Sequence, residues 1–176
     1  ALSKQGKNKG KFFALVDDEG FEQLSPFKWH YVSTGYAGRS LYRNKKRIMI
    51  FMHREILKAP KGQMCDHING NGLDNRKINL RICTNAQNQW NSKKPITNSS
   101  GFKGVYWNKS AKKWHVSIRI KSKRLFLGIF SDKNEAAKAY NKTANALRGN
   151  FARLNFIPTW KLKKYCGEAA KKEVGE

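Results

Sequence analysis

Residues 91–100 read Asn-Ser-Lys-Lys-Pro-Ile-Thr-Asn-Ser-Ser, a polar run with one proline and no hydrophobic period. A stretch of that composition joins domains rather than packing inside one. It divides the 176 residues into a piece spanning 1–92 and a piece spanning 101–157, with 93–100 as linker and 158–176 as a basic tail. Each piece must then close a core of its own. That is demanding, because small domains bury proportionally little surface and only 39% of the residues are hydrophobic. The last stretch, Glu168 to Glu176, mixes charges and has few apolar residues, so disorder is its default.

On either side of the linker the pattern predicts an α+β chain. Phe12 to Val16 and Phe21 to Leu24 flank Asp17-Asp18-Glu19-Gly20, which reads as a hairpin. Residues 29–43 and 47–52 read as a second strand pair joined at Asn44-Lys45-Lys46. Ile48, Ile50 and Met52 alternate as in a half-buried strand. A short helix is expected from His53 to Leu57. After the linker come three strands and a helix. In the middle strand Trp114, Val116, Ile118 and Ile120 should point one way, and His115, Ser117, Arg119 and Lys121 the other. Asp132 and Glu135 form a candidate capping box for a helix over 133–148. Ala136, Tyr140, Thr143/Ala144 and Leu147 share one face of that helix, and Gly149 sits at its C′ position.

Charge narrows the partners. Lys and Arg number 36 against 12 Asp and Glu, a formal net charge of +24. The excess is spread: residues 1–100 carry 18 basic and 7 acidic groups, and residues 101–160 carry 13 and 2. A field of one sign along the whole chain suits a polyanion, most commonly nucleic acid, although charge alone leaves RNA and membrane surfaces open. Three cysteines, Cys65, Cys83 and Cys166, form no CxxC pair. They fit a reducing, cytoplasmic compartment, buried apolar roles and no structural zinc. No membrane span or signal core is apparent.

The chemistry is concentrated in Cys65-Asp66-His67-Ile68-Asn69-Gly70-Asn71-Gly72-Leu73-Asp74-Asn75, then Asn79-Leu80-Arg81 and Thr84-Asn85-Ala86-Gln87-Asn88. Phosphodiester hydrolysis needs a base for the attacking water and a cation for the charge that develops on phosphate. Asp66 and His67 are adjacent on an expected strand end, so their side chains diverge, one toward a metal and the other toward a water. His67 has the intrinsic pKa of a base at neutral pH. Thr84 and Gln87 read as a capping box that opens a helix at 85 and brings Asn88 beside the strands. Asp66 and Asn88 are both oxygen donors, which suits one loosely held Mg²⁺ or Mn²⁺. Asn79 can bond across the loop and orient His67, the partner a base needs.

Residues 53–88 resemble the HNH, or ββα-metal, motif of phage and intron homing endonucleases: D-H-x-x-G-N-x-x-(D)-N-x-x-x-N-L-R-x-x-T-x-x-x-N. The resemblance implies Asp66 and Asn88 as metal ligands, His67 as general base and Asn79 as the central orienting asparagine. His53 matches an upstream histidine, with packing or phosphate contact as its role. The final position is Asn88 where other branches have His, which favours a hard, oxygen-preferring metal.

Residues 101–156 resemble the AP2 (ethylene-response-factor) domain through Gly104-Val105, Trp114, Ile118-Arg119, Leu127-Gly128-Ile129-Phe130, Glu135-Ala136-Ala137, Tyr140, Leu147-Arg148-Gly149 and Leu154-Asn155-Phe156. The resemblance implies a three-stranded antiparallel sheet backed by one helix, with the sheet laid in a DNA major groove. Carried over by position, Lys103, Tyr106, Asn108, Ser117, Arg119, Arg124 and Phe126 face the groove. Tyr106 and Asn108 stand where the plant family has Arg, Ser117 where it has Glu and Phe126 where it has Trp, so the plant recognition sequence does not transfer. Trp107 and Trp114 read as core. Lys93, Lys94 and the basic turn Lys45-Lys46-Arg47 suit either backbone tracking or plain solubility.

Together these readings give a site-specific DNA endonuclease with double-stranded DNA as partner, one divalent metal, no small-molecule cofactor and no membrane. Monomer and homodimer both stay open. The alternatives are a DNA-binding regulator with a vestigial nuclease module and an HNH restriction enzyme.

Overall fold

The computed structural model describes Leu2 and residues 10–158; most of the expected C-terminal tail lies outside the described residues. The chain is α+β and divides into two compact units, residues 1–92 and 93–176.

In the first unit, helix α1 (Asp18–Leu24) is followed by strands β1 (His30–Val32), β2 (Tyr36–Arg43) and β3 (Lys46–Phe51), which pair antiparallel in that order. The expected hairpin over 12–24 is therefore corrected. Its turn and second strand are a helix, with Asp18 and Glu19 in the first turn, where the helix dipole favours acidic groups. Phe12–Val16 is extended but bridges elsewhere: Leu15 accepts from the Asn75 N–H and donates to Leu73, each at 2.8 Å. The single strand expected over 29–43 is two, because Gly35, at φ 92°, turns the chain between them. Met52 leaves the strand pattern altogether. It opens helix α2 (Met52–Ile56) and is buried, while Ile48 stays exposed.

Next come β4 (Met64–His67), a long loop, a single 3₁₀ turn (Lys77–Asn79), β5 (Leu80–Cys83) and α3 (Asn85–Trp90). β4 and β5 pair with Asp66 opposite Arg81 and His67 opposite Leu80. α3 starts at the Thr84/Gln87 capping box, with both reciprocal bonds formed. The unit's apolar core is small: Leu2, Leu24, Ala37 and Met52, with Phe12, Trp29, Tyr31 and Leu73 among the side chains around it.

The second unit is a three-stranded antiparallel sheet, β6 (Val105–Asn108), β7 (Lys113–Ile120) and β8 (Lys123–Phe130), backed by α4 (Lys133–Arg148). Val105, Val116, Ile118, Ala136, Ala137, Tyr140 and Ala144 form its core. Each fully buried Val or Ile contributes about 1.5–3 kcal/mol. Alanines on the helix let it lie close to the sheet. At Gly104, φ +77°, a Cβ would stand 2.1 Å from the Tyr140 ring.

Three expectations shift in this unit. Val116 and Ile118 keep to the core face as the alternation predicts, but the register shifts opposite them, where Leu127 of β8 is passed over; Ser117 on the other face is buried as well, and Ile120 at the strand end is exposed. Leu147 is exposed and Ala137 takes the buried place on α4. Asp132 caps α4 by accepting from Asn134 and Glu135 N–H, while the Glu135 carboxylate pairs with Lys138. The end of the expected linker belongs to this unit, since buried Ser100 donates to the Val105 carbonyl at 2.8 Å.

Candidate functional site

His67 ends β4 and is buried, as are Asp66 before it and His53 on α2. His53 meets His67 edge-on, with ring centroids 4.9 Å apart. Tyr36 lies 5.2 Å from His53 and 5.6 Å from His67, and Phe51 stacks 5.6 Å from His53. Helix α2 is pinned over this cluster by Arg39 of β2, whose Nε and Nη2 donate to the Glu55 carboxylate at 3.2 and 3.0 Å.

Burial drives both imidazoles toward the neutral form, since a charged ring is poorly solvated there. His53 falls to about 4, by burial first and then by repulsion from His67 and Arg54. His67 is also lowered by burial, opposed by its bond to Asn75 and by the Asp66 and Asp74 charges. Its Nε2 stands 3.3 Å from Asn75 Oδ1. An acceptor there selects the Nε2–H tautomer and leaves the Nδ1 lone pair as the basic one.

Asn79, expected to bond across the loop and orient His67, does bond across the loop, to Asn69 and Asp74. Its Nδ2 donates to the Asp74 carbonyl at 2.7 Å and its Oδ1 accepts from the Asn69 N–H at 2.9 Å. Asp74 is clamped by Arg76 at 2.8 and 2.7 Å and by Asn69 at 2.8 Å, and the Arg76 guanidinium holds its carboxyl below the usual range. Gly72 is required where the loop meets β2: a Cβ would stand 2.4 Å from the Gly35 carbonyl. The loop thus holds Asn75 in place, and Asn75 holds His67.

Asp66 accepts from Arg81 at 2.9 and 2.6 Å and from Asn91 Nδ2 at 2.9 and 3.1 Å. Asn91 also donates to the His67 and Ile68 carbonyls at 2.9 and 3.2 Å, tying the end of α3 to β4. Asn88 is half-buried one turn earlier on α3, with its N–H on the Thr84 carbonyl at 3.0 Å, and the side chain that reaches Asp66 from this part of the chain is Asn91. Among the described residues no group of three or more His, Cys, Asp and Glu converges. Sequence reasoning assigned no role to Asn75 or Asn91. The signals were present: Asn75 closes the Asp74-Asn75 step of the motif, and Asn91 follows Asn88 at helical spacing.

In the second unit, Tyr106, Asn108, Ser117, Arg119, Arg124 and Phe126 lie on the sheet face away from α4. Tyr106 pairs across to His115, Ser117 to Phe126 and Arg119 to Arg124. Ser117 is buried at the register shift, with its N–H on the Gly104 carbonyl at 2.9 Å. Lys103 precedes β6 and is fixed by Asn155, which accepts from its N–H at 2.6 Å and donates to its carbonyl at 3.0 Å. Burial, with Arg148 and Arg153 nearby, lowers its amine to about 8. Trp107 and Trp114 contact each other edge-on at 4.9 Å, and Trp114 packs on the core while Trp107 is 42% exposed.

No protein-family model matches the chain, and no solved structure matches it. Three curated proteins are similar. Over 75 residues, 42% of this chain and 31% of the relative, it is 39% identical to an ethylene-responsive transcription factor of Medicago truncatula. Over 94 residues, 53% of this chain and 77% of the relative, it is 36% identical to Protein 3.8 of Escherichia phage T7. An uncharacterized HNH endonuclease of Acanthamoeba polyphaga mimivirus is 31% identical over 157 residues, which covers 86% of this chain and 79% of that protein. With that extent of similarity, carried through the Asp66–His67 strand end and the loop and helix behind it, this chain belongs to the HNH endonuclease family.

Proposed function

We propose that the chain is a site-specific DNA endonuclease of the homing type, in which the first unit hydrolyses a phosphodiester and the second grips the duplex. The observation that carries this reading is His67: a buried imidazole lowered toward neutrality, with Nε2 on Asn75 and Nδ1 left basic. Nδ1 takes a proton from a water as the water oxygen bonds to phosphorus. The phosphorus bond to the leaving oxygen breaks, and that oxygen is protonated from solvent. Asn75 keeps the ring in the working tautomer, and His53, neutral and edge-on, holds it in place without adding a second charge.

Asp66 and Asn88 carry the oxygen donors that a hard divalent ion takes, and an ion there would displace the Arg81 and Asn91 donors that hold the Asp66 carboxylate in this structure. Asp66 and Asn88 would hold one Mg²⁺ or Mn²⁺ that retains several waters. Such an ion, when bound, supplies charge neutralisation at the phosphate and the leaving oxygen. On the second unit the basic sheet face with Lys103, Asn108, Arg119 and Arg124 would enter the major groove. Clustered Lys and Arg supply the phosphate term, and Arg also reads guanine.

The test is cleavage of duplexes that include candidate target sequences, with Mg²⁺ or Mn²⁺, beside EDTA and His67→Ala. We expect metal-dependent cutting that drops about 10³-fold in H67A while the affinity for DNA is unchanged. Equal cutting by H67A would remove His67 as base. Binding without cutting under either metal would favour a DNA-binding regulator, the reading suggested by the 75-residue similarity to a transcription factor.

A further inference from the structure

The sheet face of the second unit carries more than a phosphate grip requires. Tyr106 on β6, His115 on β7 and Ile129 on β8 sit side by side across the three strands, and Phe126 lies nearby, opposite Ser117. The rings tile edge to face, Tyr106 to His115 at 5.6 Å and His115 to Phe126 at 5.5 Å. Tyr106, Phe126 and Ile129 are 40%, 51% and 49% exposed. An apolar strip therefore crosses the open side of the sheet, and exposed apolar surface rimmed by polar groups marks a binding site.

At the centre of the strip His115 Nε2 is shut off from solvent and has no hydrogen-bond partner. Beside the strip Arg119 lies directly opposite Arg124, a like-charge pairing that repels across strands. Nothing acidic offsets it locally. Asp132 and Glu135 are the acidic residues between 93 and 158, and both are engaged at the start of α4.

One nucleic-acid surface matches an apolar strip beside a pair of arginines. In the major groove thymine presents its C5 methyl beside the O4 acceptor, and guanine presents O6 and N7 to arginine. A single-stranded base stack would need flat ring faces in a row, and these rings stand at 62° and 66° to one another.

We propose that Tyr106, His115, Phe126 and Ile129 read thymine methyl groups in a duplex major groove, with His115 as the central specificity residue and Arg119 and Arg124 holding the flanking guanine. The proposal rests on the DNA-binding reading above. His115 supplies a hydrogen bond to the base edge beside the methyl when its ring turns about χ2 and brings Nε2, which no protein partner holds, from its shut-off position to the open face. Four residues of β7 separate His115 from Arg119, about 13 Å, so thymine and guanine lie within about four base pairs when the strand follows the groove.

The experiment selects duplexes bound by the full chain in EDTA from a randomised library, then replaces each thymine of the winning site by uracil, which lacks the methyl. We expect thymine at one or two fixed positions and about fourfold weaker binding per methyl removed, the transfer value of one buried methyl group. Phe126→Ala should abolish the uracil effect. His115→Phe should keep it and lose the base preference at the central position. Circular dichroism checks that both variants are folded. Binding with no uracil effect overturns this proposal and leaves the DNA reading intact. Failure to bind any duplex overturns the DNA reading itself, and tighter binding to the single strand replaces methyl readout with stacking.

Discussion

The two units hold their functional residues by opposite means. Of the nine buried polar residues among those described, seven lie in the first unit: His53, Asp66, His67, Asp74, Asn75, Asn79 and Asn91. That unit surrounds a small apolar core with a network of amides, carboxylates and imidazoles. The second unit buries a continuous apolar cluster of seven residues and leaves its polar groups on the open sheet face. A packed core tolerates a hydrogen-bond change but not a volume change. A polar network behaves the other way round, because a buried group that loses its partner keeps its whole desolvation cost.

The largest expected effect therefore comes from adding one carbon to the second unit. Gly104→Ala drives a Cβ into Tyr140 and onto the Ser117 carbonyl, 2.8 Å away, at a backbone angle that disfavours any side chain. It should destabilise the second unit by about 3 kcal/mol or more, and hydrogen exchange should report it there while amides of the first unit keep their protection. Loss of protection in both units together would mean that they do not fold independently, and the contrast drawn here would fail.

The reciprocal change, Asn75→Ala, removes a fully buried amide and strands His67 Nε2 in a buried place. We expect kcat to fall about 10²-fold, with DNA affinity kept and the second unit's stability unmoved. A rise in KM with kcat unchanged would show that Asn75 serves the loop rather than the base.

The contrast also explains what could be read from sequence. In the second unit three strands and a helix followed from period-2 and period-3.6 patterns, because burial there is set by apolar side chains. Pattern reading missed the register shift opposite Val116/Ser117 and the burial of Ser117, and it misplaced Ile120, Leu147 and Trp107, which are exposed. In the first unit α3 was legible from Thr84 and Gln87, since a capping box is local. The stretch 12–24 was misjudged because Asp-Asp-Glu-Gly satisfies turn chemistry and a helix's first turn alike. Around His67 the chemically obvious residues announced themselves by type and spacing. Asn75 and Asn91 did not, because an asparagine's role depends on which loop or strand folds back against it.

Acidification should separate the units next. His53 titrates at about 4 when folded, against 6.5 ordinarily, so the folded first unit binds that proton less tightly than the unfolded chain. Stability is undiminished above pH 6.5, falls as pH drops toward 4, and levels off below. Linkage puts the loss at about 2 kcal/mol at pH 5. Denaturation followed at pH 7 and pH 5 should show it in the first unit, and His53→Gln should reduce it to the part that His67, also lowered by burial, contributes. An equal loss in the second unit would assign the effect to overall charge instead.

The smallest effect concerns Lys103, lowered to about 8 by burial and by Arg148 and Arg153. Its amine is charged below that pH and loses its proton as pH rises through it, so its contribution to phosphate binding fades in the same window. One phosphate contact corresponds to a salt slope of about 0.9. The slope of log affinity against log salt should therefore be shallower by nearly one at pH 9.5 than at pH 7. Lys103→Arg should remove that step, because guanidinium stays charged throughout. An unchanged slope in the natural chain would place the Lys103 amine off the DNA, turned toward Arg148 and Arg153 within its own unit rather than offered to the phosphate backbone.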